Sequence, residues 1–239
     1  MNAPAPRPNV RLTVATVDHV RQISPSFRRV RLRGDFTPFA TGGLHFRFLF
    51  GPPGVPLPTV GPEGLIWPGS AQDWHRPAYT VRKLDPAGGW IDVDIFLHDG
   101  GRVTAWTETL QGGEEVGLTG PGGGGVGQGG WQGLIGDETA LPVVLRMIEA
   151  LPPDARGQAF LRVPHADDAQ EIALPPGFRL SWITGTPLPE LLDELSPPAG
   201  NRFLFFAGEK AEAEQARLWM TARGIEKGES RAAAYWAAG

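Results

Sequence analysis

A short segment of the chain, HRPAYTVRKLD at residues 75–85, concentrates side chains that could bind a ligand. It places Arg76, Tyr79, Thr80 and Arg82 within seven positions, in a chain that has only two tyrosines among its 239 residues. Guanidinium groups bind anions through charge-assisted hydrogen bonds, while an aromatic ring and a hydroxyl offer a stacking face and a hydrogen bond. The segment therefore predicts an anion-binding site, and the alternative is a solvated basic strand with a tyrosine in the core.

A second candidate is the turn GDETALP at residues 136–142, which lies between an apolar strand pattern and a helical pattern. In open α/β sheets, ligands bind at the carboxyl ends of the strands. The turn therefore predicts a nucleotide contact through Asp137, Glu138, Thr139 and Ala140. Acidic residues at this position also act as ordinary helix caps, and that alternative stays open.

The glycine-rich run GPGGGGVGQGG at residues 120–130 contains a formal GxGxxG pattern at Gly122, Gly124 and Gly127. A dinucleotide fingerprint follows a strand and opens a helix, whereas this run precedes a strand. We interpret the run as an interdomain linker.

The composition excludes several kinds of chemistry. Without cysteine the chain has no thiolate nucleophile, iron–sulfur cluster or cysteine-type zinc site, so redox chemistry requires a bound cofactor. Five histidines show no metal-ligand spacing: His19, His45, His75, His98 and His165. The net charge of −4 gives no global attraction to nucleic acid or anionic lipid, although 19 of the 22 basic residues are arginine.

The location and assembly of the protein are inferred from missing signals. No stretch approaches the roughly 20 apolar residues of a membrane span, and the start, MNAPAPRPNVRL, lacks the apolar run of a signal peptide. We expect a cytoplasmic monomer without nucleic-acid or membrane partners.

The first half of the chain shows the period-2 alternation of half-buried strands. In WIDVDIFLH, residues 90–98, apolar side chains alternate with Asp92 and Asp94, which lie on the other face. Several such segments joined by Gly/Pro turns predict an antiparallel β-barrel or sandwich. Residues 51–73, rich in glycine and proline, are expected to form a long surface loop.

The second half alternates strands and helices. WQGLIG and QAFLRV are predicted strands that flank a helix, whose apolar face carries Leu141, Val144, Leu145, Ile148 and Leu151. RLSWITG, PLPELLDEL, NRFLFFAG and EKAEAEQARLWMTARG continue the alternation. This pattern predicts a parallel sheet with helices on both faces. We therefore expect a β-barrel domain at residues 1–122, a Gly-rich linker at 123–130 and an α/β domain at 131–239.

Six pieces occur in an order that resembles the siderophore-interacting proteins, the ferric-siderophore reductases of the ferredoxin reductase-like flavoenzyme superfamily. They are LHFRFLF, RPAYTVR, IDVDIFLH, GRVTAWTETLQGGEEVGLTGPGG, GDETALP and the C-terminal Tyr235, Trp236 and Gly239. The resemblance covers roughly residues 10 to 239. It implies that the barrel binds FAD and that the α/β domain binds NAD(P)H.

The resemblance assigns roles to the residues of the opening segment. Arg76 is expected to bind the flavin phosphates, Tyr79 to offer its ring face to the flavin, and Thr80 to act catalytically beside the reactive flavin nitrogen. A regular strand points Tyr79 away from Arg76 and Thr80, so we expect an irregular strand there. The remaining expected cofactor ligands of the barrel are Arg82, His98, Gly101, Arg102, Val103 and Thr104.

The second flavin element departs from the family pattern. The family has Gly-Pro-Ala at the position of Gly101, Arg102 and Val103, where helix N–H groups meet the pyrophosphate. Arg102 either replaces part of this anchoring or faces solvent. Thr104 is expected to contact phosphate or cap the helix, and Trp106 to pack under the helix.

The resemblance also implies the substrate and the direction of electron flow. Hydride passes from NAD(P)H to FAD, and single electrons pass to Fe³⁺ held by a siderophore, with Arg47 at the position of the family's siderophore-facing lysine. Basic Arg162 at the end of the second α/β strand favours NADPH weakly, because it would tolerate a 2′-phosphate. Ferredoxin is an alternative electron donor.

Two other functions stay open at the level of the sequence. The altered phosphate loop is compatible with a flavin- or siderophore-binding protein without turnover. A generic NAD(P)H:flavin reductase that uses flavin as a substrate is the third possibility.

Overall fold

The computed structural model describes residues 11–41, 43–123, 127 and 129–238. Their contacts form two compact units: the first holds the described residues of Met1–Arg21, Val30–Val93 and Trp106–Gly125, and the second those of Gln22–Arg29, Asp94–Ala105 and Val126–Gly239. The domain boundaries at residues 122 and 131 stay a prediction. Residues 124–126 and 128 of the predicted linker, and with them Gly124 of the GxGxxG pattern, lie outside the described residues.

The N-terminal half of the chain builds an antiparallel sheet. Its strands are β1 (Leu12–Ser24), β2 (Phe27–Arg33), β3 (His45–Leu49), β6 (Ala78–Thr80), β7 (Lys83–Asp85), β8 (Trp90–Phe96) and β9 (Glu115–Gly122). Between β3 and β6, the chain forms a separate hairpin of β4 (Thr59–Gly61) and β5 (Gly64–Ile66). The order across the sheet is β6-β3-β9-β1-β2-β8-β7. The pairs β1–β9, β3–β9, β3–β6 and β7–β8 are antiparallel.

The predicted surface loop at residues 51–73 contains more structure than its composition indicated. β4 and β5 pair antiparallel, with Thr59 opposite Ile66 and Gly61 opposite Gly64. Gly64 has a φ of 128°, a value that side-chain-bearing residues rarely adopt, so glycine permits the tight reversal. The prediction of a loop over the whole segment was therefore wrong.

The polar face of β8 is buried. Asp92 and Asp94 are only 1% and 2% exposed. Arg31 donates to Asp92 from Nε and Nη2 at 2.7 and 2.9 Å, and its guanidinium lies 3.8 Å from the Trp90 ring centroid. Period-2 alternation correctly placed the aspartates on the face opposite the apolar residues. That face is buried and ion-paired rather than open to solvent.

The C-terminal half builds a parallel sheet with order β12-β11-β10-β13-β14. Its elements are β10 (Trp131–Gly136), α2 (Leu141–Glu149), β11 (Arg156–Arg162), β12 (Gly177–Ile183), β13 (Arg202–Glu209), α3 (Lys210–Ala222) and β14 (Ser230–Trp236). The core includes fully buried Ile135 and Phe206 from two neighbouring strands and Ala216 from α3. The antiparallel sheet followed by a parallel α/β sheet confirms the predicted fold class.

Two elements differ from the sequence prediction. PLPELLDEL, predicted as a helix, forms only a short 3₁₀ turn at Leu188–Leu192. The last strand, β14, was not predicted from alternation, since its sequence SRAAAYW is mostly small residues. No helix among the described residues has the length and apolar character needed to cross a membrane.

Candidate flavin and nicotinamide sites

Strand β6, which carries Tyr79 and Thr80, is an edge strand of the antiparallel sheet. It pairs with β3 in one continuous register, from the pair His45–Thr80 through Arg47–Ala78 to the bridge Phe50–His75. The expected irregularity of this strand was wrong, since the register shift lies on the other side of β3, between His45 and Arg47 where β3 pairs with β9.

The edge position explains how a regular strand can present two neighbouring side chains to one ligand. Tyr79 and Thr80 point to opposite faces of the sheet, but a planar group that lies along the edge can contact both faces. The Pro77 carbonyl accepts from the Phe48 N–H at 3.1 Å, and the Val81 N–H donates to the Leu44 carbonyl at 2.9 Å. By antiparallel alternation, the main-chain groups of Ala78 and Thr80 point away from β3. The edge therefore supplies main-chain donors and acceptors beside the two side chains.

The Tyr79 ring is held against the core of the sheet. Its centroid lies 5.3 Å from that of fully buried Phe48 in an edge-on arrangement. Burial raises the pKa of Tyr79 to about 12, so its phenol is neutral at physiological pH. A neutral, partly accessible ring is suited to contact with a planar cofactor.

Arg76 and Arg47 are neighbouring cations on the exposed side of this edge. The guanidinium of Arg76 lies 5.3 Å from the ring centroid of Trp67, and Nη1 of Arg47 donates to the carbonyl oxygen of Arg76 at 2.8 Å. Both arginines are exposed. Trp67 follows β5, so the unpredicted hairpin positions the aromatic partner of a predicted cofactor residue.

Arg82 differs from the other two arginines because it is buried, at 3% exposure. Its main-chain N–H donates to the Asp92 carbonyl at 2.8 Å. Its role as a flavin ligand stays a prediction, and the interior position favours a structural one.

Thr80 is also largely buried, at 5% exposure, and its hydroxyl has a partner that the sequence did not reveal. Oγ1 of Thr80 lies 3.2 Å from Nδ1 of His45, across the β3–β6 pair. The resemblance had singled out the strand of His45, but only the strand register shows that it faces Thr80.

The second flavin element is a compact turn that opens α1 (Arg102–Thr109). Thr104 Oγ1 accepts the His98 N–H at 3.2 Å, so this hydroxyl closes the turn. A Cβ on Gly101 would come 2.8 Å from both Thr104 Oγ1 and His98 Nε2, which explains the requirement for glycine. Arg102 is exposed and Val103 is buried.

Trp106, farther along α1, belongs to the aromatic core of the first unit. Its ring centroid lies 5.4 Å from that of Phe48 and 5.2 Å from that of Phe50. These contacts support the expectation that Trp106 packs under the helix.

The GDETALP turn is organised around the buried Asp137 carboxylate. Oδ1 accepts from the Thr139 N–H at 2.9 Å, the Thr139 hydroxyl at 2.6 Å and the Ala140 N–H at 3.2 Å. Asp137 therefore satisfies donors before α2, as the capping alternative proposed. The carboxylate of Glu138 is beside it, and burial and Asp137 together raise the pKa of Glu138 above its ordinary value.

Trp236 connects the last strand to this turn. Its Nε1–H donates to Asp137 Oδ2 at 2.7 Å, although the two residues are 99 positions apart. The sequence had given Trp236 no role beyond the family motif. The main-chain N–H of Ala238 donates to Glu209 Oε1 at 3.3 Å, so the C-terminal segment is held at two points near the carboxyl ends of the strands.

Arg162, on which the NADPH expectation was based, is paired within its unit. Its Nη1 and Nη2 donate to Glu212 Oε1 and Oε2 at 2.7 and 3.0 Å, and Nη2 lies 4.0 Å from Asp137 Oδ2. The positive charge is therefore already compensated by Glu212, and Arg162 alone is a weak argument for a 2′-phosphate.

The parallel sheet nevertheless has the geometry of a nucleotide-binding fold. Strand order reverses between β10 and β13, and ligands bind at such switch points at the carboxyl ends of the strands. Asp137 follows β10, and Glu209 ends β13. The predicted nicotinamide turn lies at this position.

The described residues fit the chemistry of FAD. The open edge of β6 offers main-chain hydrogen bonds and a neutral aromatic ring for a planar heterocycle. The guanidinium of Arg76, in the first unit, is suited to phosphate. The first-turn N–H groups of α1, which belong to the second unit, are separately suited to an anion.

An antiparallel module with this edge, followed in the chain by a parallel nucleotide-type sheet, defines the class of ferredoxin reductase-like flavoenzymes. Residues 16–125 match the family described as the siderophore-interacting FAD-binding domain, and residues 130–239 match the siderophore-interacting protein family. The chain belongs to the siderophore-interacting proteins.

Individual relatives agree with this family. The ferric vibriobactin reductase ViuB of Vibrio cholerae is 29% identical over 215 residues, covering 81% of this chain and 78% of that protein. The NADPH-dependent ferric-chelate reductase of Escherichia coli is 29% identical over 245 residues, covering 96% and 94%. The crystal structure of a siderophore utilization protein from T. fusca has a TM-score of 0.86 at 29% identity, covering 96% and 94%.

Proposed function

We propose that this protein is an FAD-dependent ferric-siderophore reductase that passes electrons from NAD(P)H to Fe³⁺ in a siderophore. The observation that carries the proposal is the succession of the two family matches, which together span the flavin edge and the nicotinamide turn. Similarity to one protein named a ferric vibriobactin reductase and another named a ferric-chelate reductase supports turnover rather than binding alone.

When bound, FAD accepts a hydride and gives up electrons one at a time, which is the chemistry that a chain without cysteine cannot supply itself. Tyr79 would hold the flat ring system at the edge of β6, and Thr80 would offer its hydroxyl to the ring. Arg76 would bind phosphate, and the N-terminus of α1 is proposed separately as a phosphate-binding element. These assignments are the residue-level part of the proposal.

Arg47 is proposed to attract the substrate. Ferric siderophores of the catecholate kind are anionic, and Arg47 is an exposed cation anchored to the Arg76 carbonyl. Siderophore oxygens are hard ligands that hold Fe³⁺ far better than Fe²⁺. One electron therefore loosens the metal without any acid, base or nucleophile from the protein.

We propose NADPH as the donor, on the basis of the E. coli relative rather than Arg162, whose charge is compensated by Glu212. Asp137, Glu138, Thr139 and Ala140 form the turn at which the nicotinamide nucleotide is expected to bind. Ferredoxin is the alternative donor. Because NADPH is a cytoplasmic reductant, we propose that the enzyme acts in the cytoplasm, and we propose separately that it is a monomer.

A spectrum of the purified protein tests the proposal. It should absorb at about 450 nm from bound flavin, bleach anaerobically with NADPH, and regain its colour when a ferric tris-catecholate is added. Colour without bleaching would favour a binding protein or a ferredoxin-fed reductase. An apoprotein that is active only with added free flavin would indicate a flavin reductase and overturn the proposal.

A further inference from the structure

Three arginines among the described residues lie over a tryptophan ring, with guanidinium-to-centroid distances of 3.8, 4.0 and 5.3 Å. In that order the pairs are Arg31–Trp90, Arg223–Trp219 and Arg76–Trp67. Asp92 accepts two hydrogen bonds from Arg31, and Asp193 accepts one from Arg223. In the first two pairs, an indole face and a carboxylate together hold the guanidinium.

The third pair has the indole but lacks the carboxylate. Among the residues that the structure describes, no acidic side chain pairs with the guanidinium of Arg76, which is exposed. A contact with an indole face leaves the five N–H donors of a guanidinium available for an anion. An anion supplied by a ligand would therefore complete at Arg76 the arrangement that aspartates complete at Arg31 and Arg223.

The Trp67 ring packs against a second indole that is itself fixed. Its centroid lies 5.5 Å from that of Trp74, at an interplanar angle of 60°. Trp74 is 5% exposed, and a Cβ on Gly51 would come 2.6 Å from its ring. The bare main chain of Gly51 thus allows Trp74 to pack closely. Trp67, which is partly exposed, therefore has a rigid support on one side and Arg76 as a neighbour.

The main chain beside Arg76 is held as well. His75 and Phe50 exchange N–H to carbonyl hydrogen bonds at 2.9 and 3.0 Å. The Arg76 carbonyl accepts from Arg47 Nη1 at 2.8 Å. The remaining freedom of Arg76 therefore lies in its long side chain, which loses much rotamer entropy when it is fixed. A contact that orders this side chain in advance lowers the cost of binding an anion.

We propose that Trp67 is a positioning residue for flavin phosphate, acting through Arg76. The inference rests on the proposed function, in which Arg76 binds phosphate. Trp67 orders the guanidinium before FAD binds, and a phosphate group takes the place of the carboxylate found at the other two arginines. Because Trp67 acts through Arg76, its effect is confined to flavins that carry phosphate.

Binding of FAD and of riboflavin to the apoprotein, measured by flavin fluorescence, tests this assignment. Riboflavin has the same ring system as FAD but no phosphate. Trp67→Leu should weaken FAD binding about fivefold, the contribution of an exposed cation–π contact, and leave riboflavin binding unchanged. Trp67→Phe keeps an aromatic face and should bind FAD with an affinity between those of Trp67→Leu and the wild type.

A double-mutant cycle separates action through Arg76 from a general effect on the hairpin. In the Arg76→Ala background, Trp67→Leu should cause no further loss of FAD affinity, whereas a purely structural role would cost the same in both backgrounds. Trp90→Leu is the matched control, because it removes an indole from Arg31, whose charge is paired with Asp92. Its FAD affinity should equal that of the wild type.

The outcomes distinguish the positioning role from the function on which it rests. If Trp67→Leu binds FAD as tightly as the wild type, or weakens riboflavin and FAD equally, the positioning role is wrong although the flavin function stands. An equal loss in the Arg76→Ala background also overturns it. If the wild type binds no FAD, the proposed function itself fails. If Trp67→Leu does not fold, Trp67→Phe, which retains a ring against Trp74, provides the same comparison of FAD with riboflavin.

Discussion

Arg29 and Asp94 are joined by two parallel hydrogen bonds, from Nε to Oδ1 at 2.6 Å and from Nη2 to Oδ2 at 2.8 Å. The residues are 7% and 2% exposed. They connect β2 to β8, the neighbouring strand. Because both charges are out of water, each depends on the other for compensation.

Asp94→Ala should destabilise the protein strongly, because it leaves the Arg29 charge buried without its carboxylate. Loss of one partner of a buried pair typically costs about 3 to 5 kcal/mol of unfolding free energy. Denaturant unfolding of wild type and variant measures the difference. If the loss of unfolding free energy is no greater than that for an exposed ion pair, Arg29 must reach solvent when Asp94 is removed.

Asp18→Asn is the control for the buried pair, because Asp18 and Arg33 form a bidentate ion pair that is more exposed to water. Arg33 donates to Asp18 at 2.9 and 3.3 Å, and this contact holds the pKa of Asp18 below its ordinary value. Exposed pairs are screened by water and contribute little. The unfolding midpoint of Asp18→Asn should therefore stay close to that of the wild type.

Arg76→Ala should weaken FAD binding by about 1.5 to 3 kcal/mol, the typical contribution of a hydrogen bond to a charged group. A fluorescence titration of apoprotein with FAD measures the loss. Lys83→Ala removes another exposed cation and should leave affinity unchanged. Equal affinity for Arg76→Ala and wild type would remove Arg76 from the flavin site.

Arg47→Ala should raise the KM for anionic ferric chelates and leave FAD bound. Arg47 also supports the Arg76 carbonyl, so FAD affinity must be measured on the same preparation. Arg47→Lys keeps the positive charge and should recover most of the KM. An unaltered KM for a ferric tris-catecholate would reduce Arg47 to a surface charge.

Glu212→Gln should shift the coenzyme preference towards NADPH. The substitution removes the negative charge that compensates Arg162 while preserving an acceptor for the Leu188 N–H, now 3.1 Å from Glu212 Oε1. A guanidinium with unbalanced charge attracts the 2′-phosphate. The ratio of kcat/KM for NADPH to that for NADH should rise. No change in this ratio would place Arg162 away from the nucleotide.

Asp168→Asn should destabilise the protein at neutral pH but not in acid. Burial raises the pKa of Asp168, but hydrogen bonds from Ser24, Ser26 and His165 outweigh it and hold the pKa below its ordinary value. A lowered folded-state pKa stabilises the fold above the unfolded pKa of about 3.9, and this contribution is lost as pH falls through the folded pKa.

Urea unfolding measured from pH 7 downwards checks this prediction. At pH 7 the wild type should exceed Asp168→Asn by about 1.5 kcal/mol or more, as expected for hydrogen bonds to a charged acceptor. The two curves should begin to approach each other below about pH 4 and meet only below the folded-state pKa of Asp168. If the difference in unfolding free energy between wild type and Asp168→Asn does not depend on pH, it comes from altered packing and not from the carboxylate charge.

Local patterns predicted the main elements because hydrophobic periodicity is a property of neighbouring residues. Alternation indicated β8, and the apolar run WQGLIG followed by a helical pattern indicated β10 and α2. The same reasoning failed at residues 188–192, which form a 3₁₀ turn, and in β14, where small residues carry no alternation.

The candidate site was predictable only in its residue types. Arg76, Tyr79 and Thr80 were identified from their spacing and the family resemblance. That spacing could not reveal that β6 is an edge strand, which allows a ligand to contact both Tyr79 and Thr80. Nor could it show that Arg82 is buried.

The sequence by itself determined the succession of a β module and an α/β module, the need for a borrowed redox cofactor, and the segments predicted to contact it. Tertiary structure alone decided the polar partnerships: Asp94 with Arg29, His45 with Thr80, and Asp137 with Trp236. The physical reason is that hydrophobic patterning selects which face of each element is buried, whereas a polar partner depends on which elements become neighbours and in which register they pair.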